Sequence, residues 1–574
     1  MKDTIEQQLS DWIKRVFTEV FPGEPMEGLH LDVVPTSNEK FGDYQCNATM
    51  ALAKQVKKKP RDIAETVVHH ATLPENVERL EIAGPGFINI FLNTSWMSTS
   101  LEKNQQDPDS VVPQPGARKT VIIDYSSPNI AKPMHIGHIR STVIGNALDR
   151  IYRYLGYTVI ADNHLGDWGT QFGLLIMGYR HFLNETALEE HPIEELERIY
   201  VKSYEKSKQD DAWLDQAREE LVKLQQGDPT NKTVWEEFVQ LSLGEFEHIY
   251  KRLSISFDLV RGESFYNENL PETMNQLKDL DLLKESEGAQ VVFLEEEKLP
   301  VCIVKKRDGG FNYATTDLAT ITSRVKEFEP DRVIYVTDER QQLHFNQIFT
   351  IAKKMGIKTK LVHIWFGLMQ LPEGTFSTRE GHVIKLERLL DEAETRALEI
   401  VQTTSPNMNA NQQKEVARAV GIGAIKYADL SQNPQSLVTF TWEKALSLDG
   451  HSAPYLQYAY ARIASIKDKY AEQFPAIHLD DYPIRLEDPL ERRLGIKLIR
   501  FQETVHRAAK HYRPNFIADY LYDLAQTYSA FYQNVPFLKA KKGVRESRIR
   551  LCTMVGFVLG QGLDLLGIET PKRI

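Results

Sequence analysis

At 574 residues the chain is too long for one hydrophobic core, so about three or four domains are expected. Its 42% hydrophobic and 26% charged residues are ordinary for a water-soluble protein, and a net charge of −11 argues against a general nucleic-acid coat while allowing a local basic patch. Cys46, Cys302 and Cys552 lie too far apart for a disulfide framework or a zinc-ligand spacing, and no apolar signal core or membrane-length run is present, so a cytoplasmic protein without membrane attachment is expected.

Residues 1–112 read as a small α+β module. An amphipathic opening helix precedes the strand-like alternation "LHLDVVPT", and "NVERLEIAGPGFINIFL" gives two short strands around a Gly-Pro-Gly turn. The Pro-, Asp- and Gln-rich "NQQDPDSVVPQPGARK" is a linker. Over 118–384 the apolar runs "TVIIDYS", "GYTVIADN", "DRVIYVTD" and "KLVHIWFG" resemble strands buried on both faces of a parallel sheet, separated by helical patterns. That combination predicts a doubly wound, Rossmann-like α/β domain. It carries an insertion at about 180–300: a long charged helical stretch, then the β segment "GAQVVFLEEEKLPVCIVKK". Residues 385–574 are helical, with a core at about 445–574, and are read as a separate helical domain.

The most informative stretch is "SSPNIAKPMHIGHIRST", between the first α/β strand and the helix after it. Its prolines disfavour helix, so the helix is predicted to start near His135 to Gly137. It runs with Ile139, Val143, Ala147, Ile151 and Leu155 on one face and stops at Gly156. His135 and His138 then share the first turn, where free N–H groups and the positive dipole end favour phosphate. Two imidazoles there can donate to phosphoryl oxygens, and Gly137, lacking a Cβ, lets a flat base approach the backbone. Alone, a His-x-x-His is most often a pair of surface histidines at a cap. Zinc is a weaker rival, because no third ligand follows at a suitable spacing.

As a whole, this stretch resembles the first signature of the class I aminoacyl-tRNA synthetases, in the form found in arginyl-tRNA synthetases. His135-Ile136-Gly137-His138 matches the class motif, and the Ser-Ser-Pro-Asn-Ile-Ala-Lys-Pro prefix narrows it to the arginine enzymes. Further segments agree in order. "NHLGDWGTQFG" follows the second strand as a Gly-rich loop. "NYATTDLAT" sets Tyr313 and Asp317 on one helix face, and a carboxylate is the planar bidentate acceptor a guanidinium needs. The resemblance implies that Tyr313 and Asp317 hold the substrate guanidinium, with Gln341, or its neighbour Gln342, as third ligand. It implies that Asp124 and Asn129 meet the α-ammonium. The second class signature, normally Lys-Met-Ser-Lys-Ser, corresponds to "EGTFSTREG": Ser377 and Thr378 survive, Thr375 replaces the first lysine and Arg379 the second. The missing charge in contact with ATP then comes from Arg379 or from Lys132 of the first signature.

"SAPYLQYAYARI" and "LGIETPKRI" resemble the opening and the ending of that family's anticodon-binding domain. Aromatics among bases suit stacking on splayed loop bases, which makes Tyr458 and Arg462 candidates for contact with tRNA, although core packing explains most of these tyrosines. The N-terminal module resembles the extra domain that contacts the tRNA elbow. Phe87 and Asn89 are its candidates to stack on and bond a loop base, and Phe87 serves equally as core.

Together these resemblances imply an arginine–tRNA ligase of monomeric habit. It would take ATP, with Mg2+ but no dedicated protein ligands for the metal, L-arginine and tRNA(Arg). His135, His138 and Lys132 would be catalytic, with Gly137 against ATP, and activation would require bound tRNA. Two rivals are weighed: a nucleotidyltransferase of the same superfamily, against which the two flanking domains argue, and a catalytically silent relative, which only the altered second signature favours.

Overall fold

The Val- and Ile-rich runs become Thr120–Asp124, Thr158–Leu165, Arg332–Asp338 and Lys360–Phe366, four strands of one parallel sheet. A fifth parallel strand, Leu259–Gly262, which the sequence reading did not single out, pairs with Thr158–Leu165. Across the sheet the order is Lys360–Phe366, Arg332–Asp338, Thr120–Asp124, Thr158–Leu165, Leu259–Gly262. The chain thus winds outward in both directions from Thr120–Asp124, and the switch in direction leaves a crevice beyond the carboxyl ends of the central strands. This computed structural model describes residues 4–24, 32–36, 38–107, 112, 114–307, 309–372, 374–375 and 384–574.

The helix after the first strand spans Ile136–Tyr154, and Ile139, Val143, Ala147, Ile151 and Leu155 are all buried, as their spacing predicts. Gly156, at φ 80°, carries the chain out of it. Between the second and fifth strands lie helices Gln171–Phe182, Glu185–Glu190, Pro192–Ser207, Asp211–Gln225 and Pro229–Arg252. The expected β segment is an antiparallel sheet of Leu283–Ser286, Ala289–Val292 and Cys302–Lys305. Its inward residues Val292, Cys302 and Val304 join Leu318, Ile321 and Val333 in one core.

By packing, the chain divides into two units, 116–454 with 565–569, and 1–115 with 455–564 and 570–574. The first holds the parallel sheet and also helices Leu386–Thr404 and Ala410–Leu430, where Arg252 pairs with Asp391 at 2.8 Å and Glu394 at 2.9 Å. Residues 565–569 are held there by the buried Lys426, which donates to the carbonyls of Leu253 (2.5 Å) and Gly567 (2.6 Å), and by Arg418, 2.6 Å from Glu569.

In the other unit, Thr4 caps helix Ile5–Val20, whose Leu9, Trp12, Ile13, Val16 and Phe17 form the buried stripe of an amphipathic helix. A four-stranded antiparallel sheet follows, ordered Val33–Pro35, Tyr44–Cys46, Phe87–Leu92, Val77–Ala83. Helices Pro489–Ile499, Phe501–His511, Asn515–Asn534 and most of Ala453–Gln473 and Val544–Leu565 belong to the same unit. Its two sequence-distant parts are joined by buried polar groups. Arg492 grips Asp43 through two bonds (3.0 and 2.7 Å), and the Tyr44 hydroxyl donates to Glu503 at 2.8 Å. All three cysteines are free and buried. Among the described residues no helix is long and apolar enough to cross a membrane.

Candidate active site

The loop from Tyr125 to Met134 leaves the sheet at its carboxyl edge and bends through Ser126, Ser127 and Ala131, all at positive φ (73°, 48° and 59°). Such backbone persists only where the surroundings over-determine it. Here the Ser126 N–H donates to the Ser141 hydroxyl (3.0 Å), that of Ser127 to the Asn163 amide oxygen (3.1 Å), and that of Ala131 to the buried Ser242 hydroxyl (2.9 Å). The loop also zips to "GDWG": Ile130 N–H donates to the Gly166 carbonyl, and Gly166 N–H to that of Pro128, both at 3.1 Å. Asn129 is thereby set at the exposed rim, with Lys132 exposed further along, its ammonium 5.6 Å from the Tyr200 ring centre.

His135 is the N-cap of the helix, and the two histidines cap it reciprocally. Gly137 N–H donates to His135 Nδ1 (3.0 Å) and His135 N–H donates to His138 Nδ1 (3.1 Å). A nitrogen that accepts a backbone N–H carries no proton, so each neutral ring keeps its proton on Nε2 and can offer it to a ligand. Burial, then its His135 neighbour, pushes His138 down to about 3. Burial, then the charges of Lys132 and Arg340, lowers His135. Both are neutral donors near pH 7, with ring centres 4.0 Å apart. Gly137 has a further reason to be glycine: a Cβ there would lie 2.7 Å from His135 Cε1 and dislodge the capping ring.

Acids gather at the same sheet edge. Helix Tyr313–Phe328 begins with Tyr313, which is 62% exposed, and carries Asp317 one turn later, held by His344 Nε2 at 2.5 Å. Glu263, just beyond strand Leu259–Gly262, is partly buried; burial first, then the charges of Asp317 and Asp167, pushes it up to about 8. Asp167 fixes that segment by accepting from Ser264 N–H (2.9 Å) and Ser264 Oγ–H (2.6 Å). A Cβ on Gly262 would fall 1.9 Å from Asp167 Oδ2, so only glycine permits this approach. A carboxyl driven toward its neutral form by burial and by two like charges makes a place for a cation.

Asp124 is buried. Its Oδ2 lies 2.7 Å from Arg324 and its Oδ1 accepts from the Ser127 hydroxyl at 3.0 Å. The same guanidinium is 2.7 Å from Asp162, so Arg324, fully buried on the helix that carries Asp317, ties two adjacent strands to that helix. Gln341 is exposed and closes the 3-10 turn Glu339–Gln341; Gln342 begins the next helix, which also bears His344. Ser377, Thr378 and Arg379 lie outside the described residues.

The residues singled out for tRNA lie in the other unit. Asn89 is buried in the strand Phe87–Leu92, its amide oxygen accepting from Gln45 at 2.7 Å, and Phe87 is partly buried at the strand's start. Tyr458 is 38% exposed, with the Arg462 guanidinium 4.9 Å from its ring centre and 5.4 Å from that of Tyr532. Tyr458 and Arg462 line a cavity of about 700 Å³ with Lys469, Lys572 and Arg573. Sequence reasoning missed Glu263, Asp167, His344 and Arg324. No local signal marked Glu263: "LVRGES" holds only two apolar residues, too few to announce a strand.

Comparison with known proteins gives the class first. The model of "tRNA synthetases class I (R), catalytic domain" matches residues 101–442, that of the DALR anticodon binding domain 456–574, and that of the arginyl tRNA synthetase N terminal domain 3–92. The arginine–tRNA ligase of Fusobacterium nucleatum is 45% identical over 99% of both chains, and that of Hahella chejuensis 41% identical over 96% of both. The solved arginyl-tRNA synthetase of Plasmodium falciparum superposes with a TM-score of 0.86 at 28% identity over the full length of both chains. That of Thermus thermophilus, at 24% identity and a TM-score of 0.83 over both full lengths, shares the fold. The chain belongs to the arginyl-tRNA synthetase family.

Proposed function

We infer that this chain activates L-arginine with ATP and transfers it to the terminal adenosine of tRNA(Arg), releasing pyrophosphate and AMP. The observation that carries the inference is membership of the arginyl-tRNA synthetase family along its whole length. The arginine carboxylate attacks the α-phosphorus, so the protein's work is positioning and charge stabilisation rather than covalent catalysis. The two Nε2–H groups at the helix start, with Lys132, face the phosphate charge that develops, and Gly137 lies along the nucleotide. Ser377, Thr378 and Arg379 serve the phosphates from the second signature. Magnesium arrives on ATP as part of that substrate.

At the other end, Asp317, Tyr313 and Gln341 take the guanidinium, and Glu263 adds a second carboxylate. Asn129 at the rim serves the α-ammonium, and Asp124, held in its buried pair with Arg324, supports that end of the pocket rather than meeting the ammonium directly. Lysine, a point charge, would leave these acceptors underbonded, and such a mismatch discriminates by roughly 10⁴-fold or more. Tyr458 and Arg462, with the cavity of mixed charge they line, receive anticodon bases; Phe87 meets the tRNA elbow, and Asn89, buried and bonded to Gln45, contacts it only if that strand opens. The enzyme is read as a cytoplasmic monomer, composed of an elbow-binding module at 1–112, a catalytic domain beginning at 118 and a helical anticodon domain whose core is about 445–574; the helices at 386–430, which the sequence pattern groups with the anticodon domain, pack with the catalytic one.

Arginine-dependent exchange of labelled pyrophosphate into ATP, with and without tRNA(Arg), tests this. Exchange only with tRNA supports the ligase and its tRNA requirement together. Exchange without tRNA keeps activation and removes the requirement. No exchange in either case, with tRNA still bound, points to the catalytically silent relative.

A further inference from the structure

Arg140 lies two residues beyond His138 and is 1% exposed. Its Nε–H donates to Asp429 Oδ1 at 2.8 Å, and its Nη1 donates to the carbonyls of Gly367 (2.6 Å) and Ser436 (3.2 Å). These carbonyls mark a crossing of two chain segments. Gly367 follows strand Lys360–Phe366 and opens the run into Met369–Leu371, which pairs in parallel with Val438–Thr439 just after Ser436. Met369–Leu371 is the last strand of more than two residues before the stretch that corresponds to the second signature. Where the chain returns, Ile136 N–H donates to the Ile384 carbonyl (3.2 Å), and Leu386 N–H to that of Met134 (2.9 Å). Entry and return are therefore both fastened at the start of the helix Ile136–Tyr154, the entry through Arg140.

That side chain is a costly choice. Arg140 Nη2 and Asp429 Oδ2 are buried without a hydrogen-bond partner, and burial raises the Asp429 carboxyl. Apolar residues of similar volume commonly replace a buried ion pair without loss of stability, whereas only a planar fork can meet one carboxylate and two carbonyls from three segments at once.

We propose that Arg140 is a positioning residue for ATP: it holds the Gly367–Ser436 crossing in register with the helix start that carries the two histidines, and so sets where their Nε2–H groups meet the phosphates. This rests on the reading of the histidine pair as the ATP site. The test is pyrophosphate exchange by the full chain with Arg140→Lys and Asp429→Asn, each assayed well below its own melting temperature. Arg140→Lys should lower kcat/KM for ATP by about tenfold or more, with the KM for arginine changed less than twofold. Asp429→Asn loosens the guanidinium from its anchor and should lower kcat/KM for ATP about threefold, again sparing arginine; it decides the matter if the lysine variant does not fold. Unchanged ATP parameters in a folded variant, or equal losses toward ATP and arginine, overturn the proposal. Absence of exchange in the unaltered protein would instead overturn the function on which it rests.

Discussion

Two carboxylates, the buried Asp43 and the half-buried Glu263, one in each unit, show how differently the chain treats its acids. Asp43 is gripped by both arms of the Arg492 guanidinium and also accepts from Leu92 N–H at 2.7 Å, so its charge is answered within the protein. Glu263 feels burial and the like charges of Asp317 and Asp167, and sits near its neutral form at about 8. The first arrangement holds sequence-distant segments together. The second is unfavourable in isolation and becomes favourable only when a cation enters, which is what a binding site requires. The histidine pair is the complement: two neutral donors, their Nδ1 atoms occupied by backbone, their Nε2–H groups kept for an anion.

The contrast can be broken most severely at the donor end. His138→Ala removes a preorganised N–H and half of the reciprocal cap, and should lower kcat of pyrophosphate exchange by roughly 10²–10³-fold with little change in the KM for arginine. An equal loss in arginine binding would count against the assignment. Next, Asp317→Ala should weaken arginine binding by roughly 2–5 kcal/mol, measured by calorimetry, and leave ATP binding nearly untouched.

A pH series sharpens the comparison. Below about 8 the Glu263 carboxyl holds a proton in the free protein, and a guanidinium prefers the ionised form. Arginine binding should therefore release a proton, and affinity should rise with pH and level off above about 8. Glu263→Gln should flatten that profile; a profile that keeps its slope in the variant would assign the titration elsewhere. His138, pushed down to about 3 by burial and its His135 neighbour, should add no step to kcat between pH 6 and 8.

The smallest effect is expected in the other unit. Burial pushes Glu503 up to about 7. A carboxyl raised in the folded state lends stability that is full below its unfolded value and is lost as pH rises through the folded one. Glu503→Gln should thus be neutral near pH 4 and stabilising by about 1 kcal/mol or more at pH 8, read from melting temperatures. A loss of stability at pH 8 would show that the ionised carboxylate is needed by Tyr44 and its neighbours.

Much of this was legible in local sequence. The four Val- and Ile-rich strands, the helix beginning at His135, and its stop at Gly156 follow from periodicity and from backbone rules for proline and glycine, which act within a few residues. The amphipathic opening helix and the strands around Gly-Pro-Gly did as well. Strand Leu259–Gly262 did not, because four residues after a long charged helix carry too little pattern to announce a sheet edge. Glu263 was missed with it.

Local sequence alone thus determined which elements form and which motifs they carry, since propensity, capping and alternation are short-range. Only the tertiary structure decided which charges meet. That Asp124 and Asp162 share Arg324, that Asp167 fixes the segment bearing Glu263, and that Arg140 reaches Gly367, Asp429 and Ser436 are facts about groups tens to hundreds of residues apart. A carboxylate's partner, and hence whether it staples the fold or waits for a substrate, is set by distances of a few ångströms that no spacing along the chain encodes.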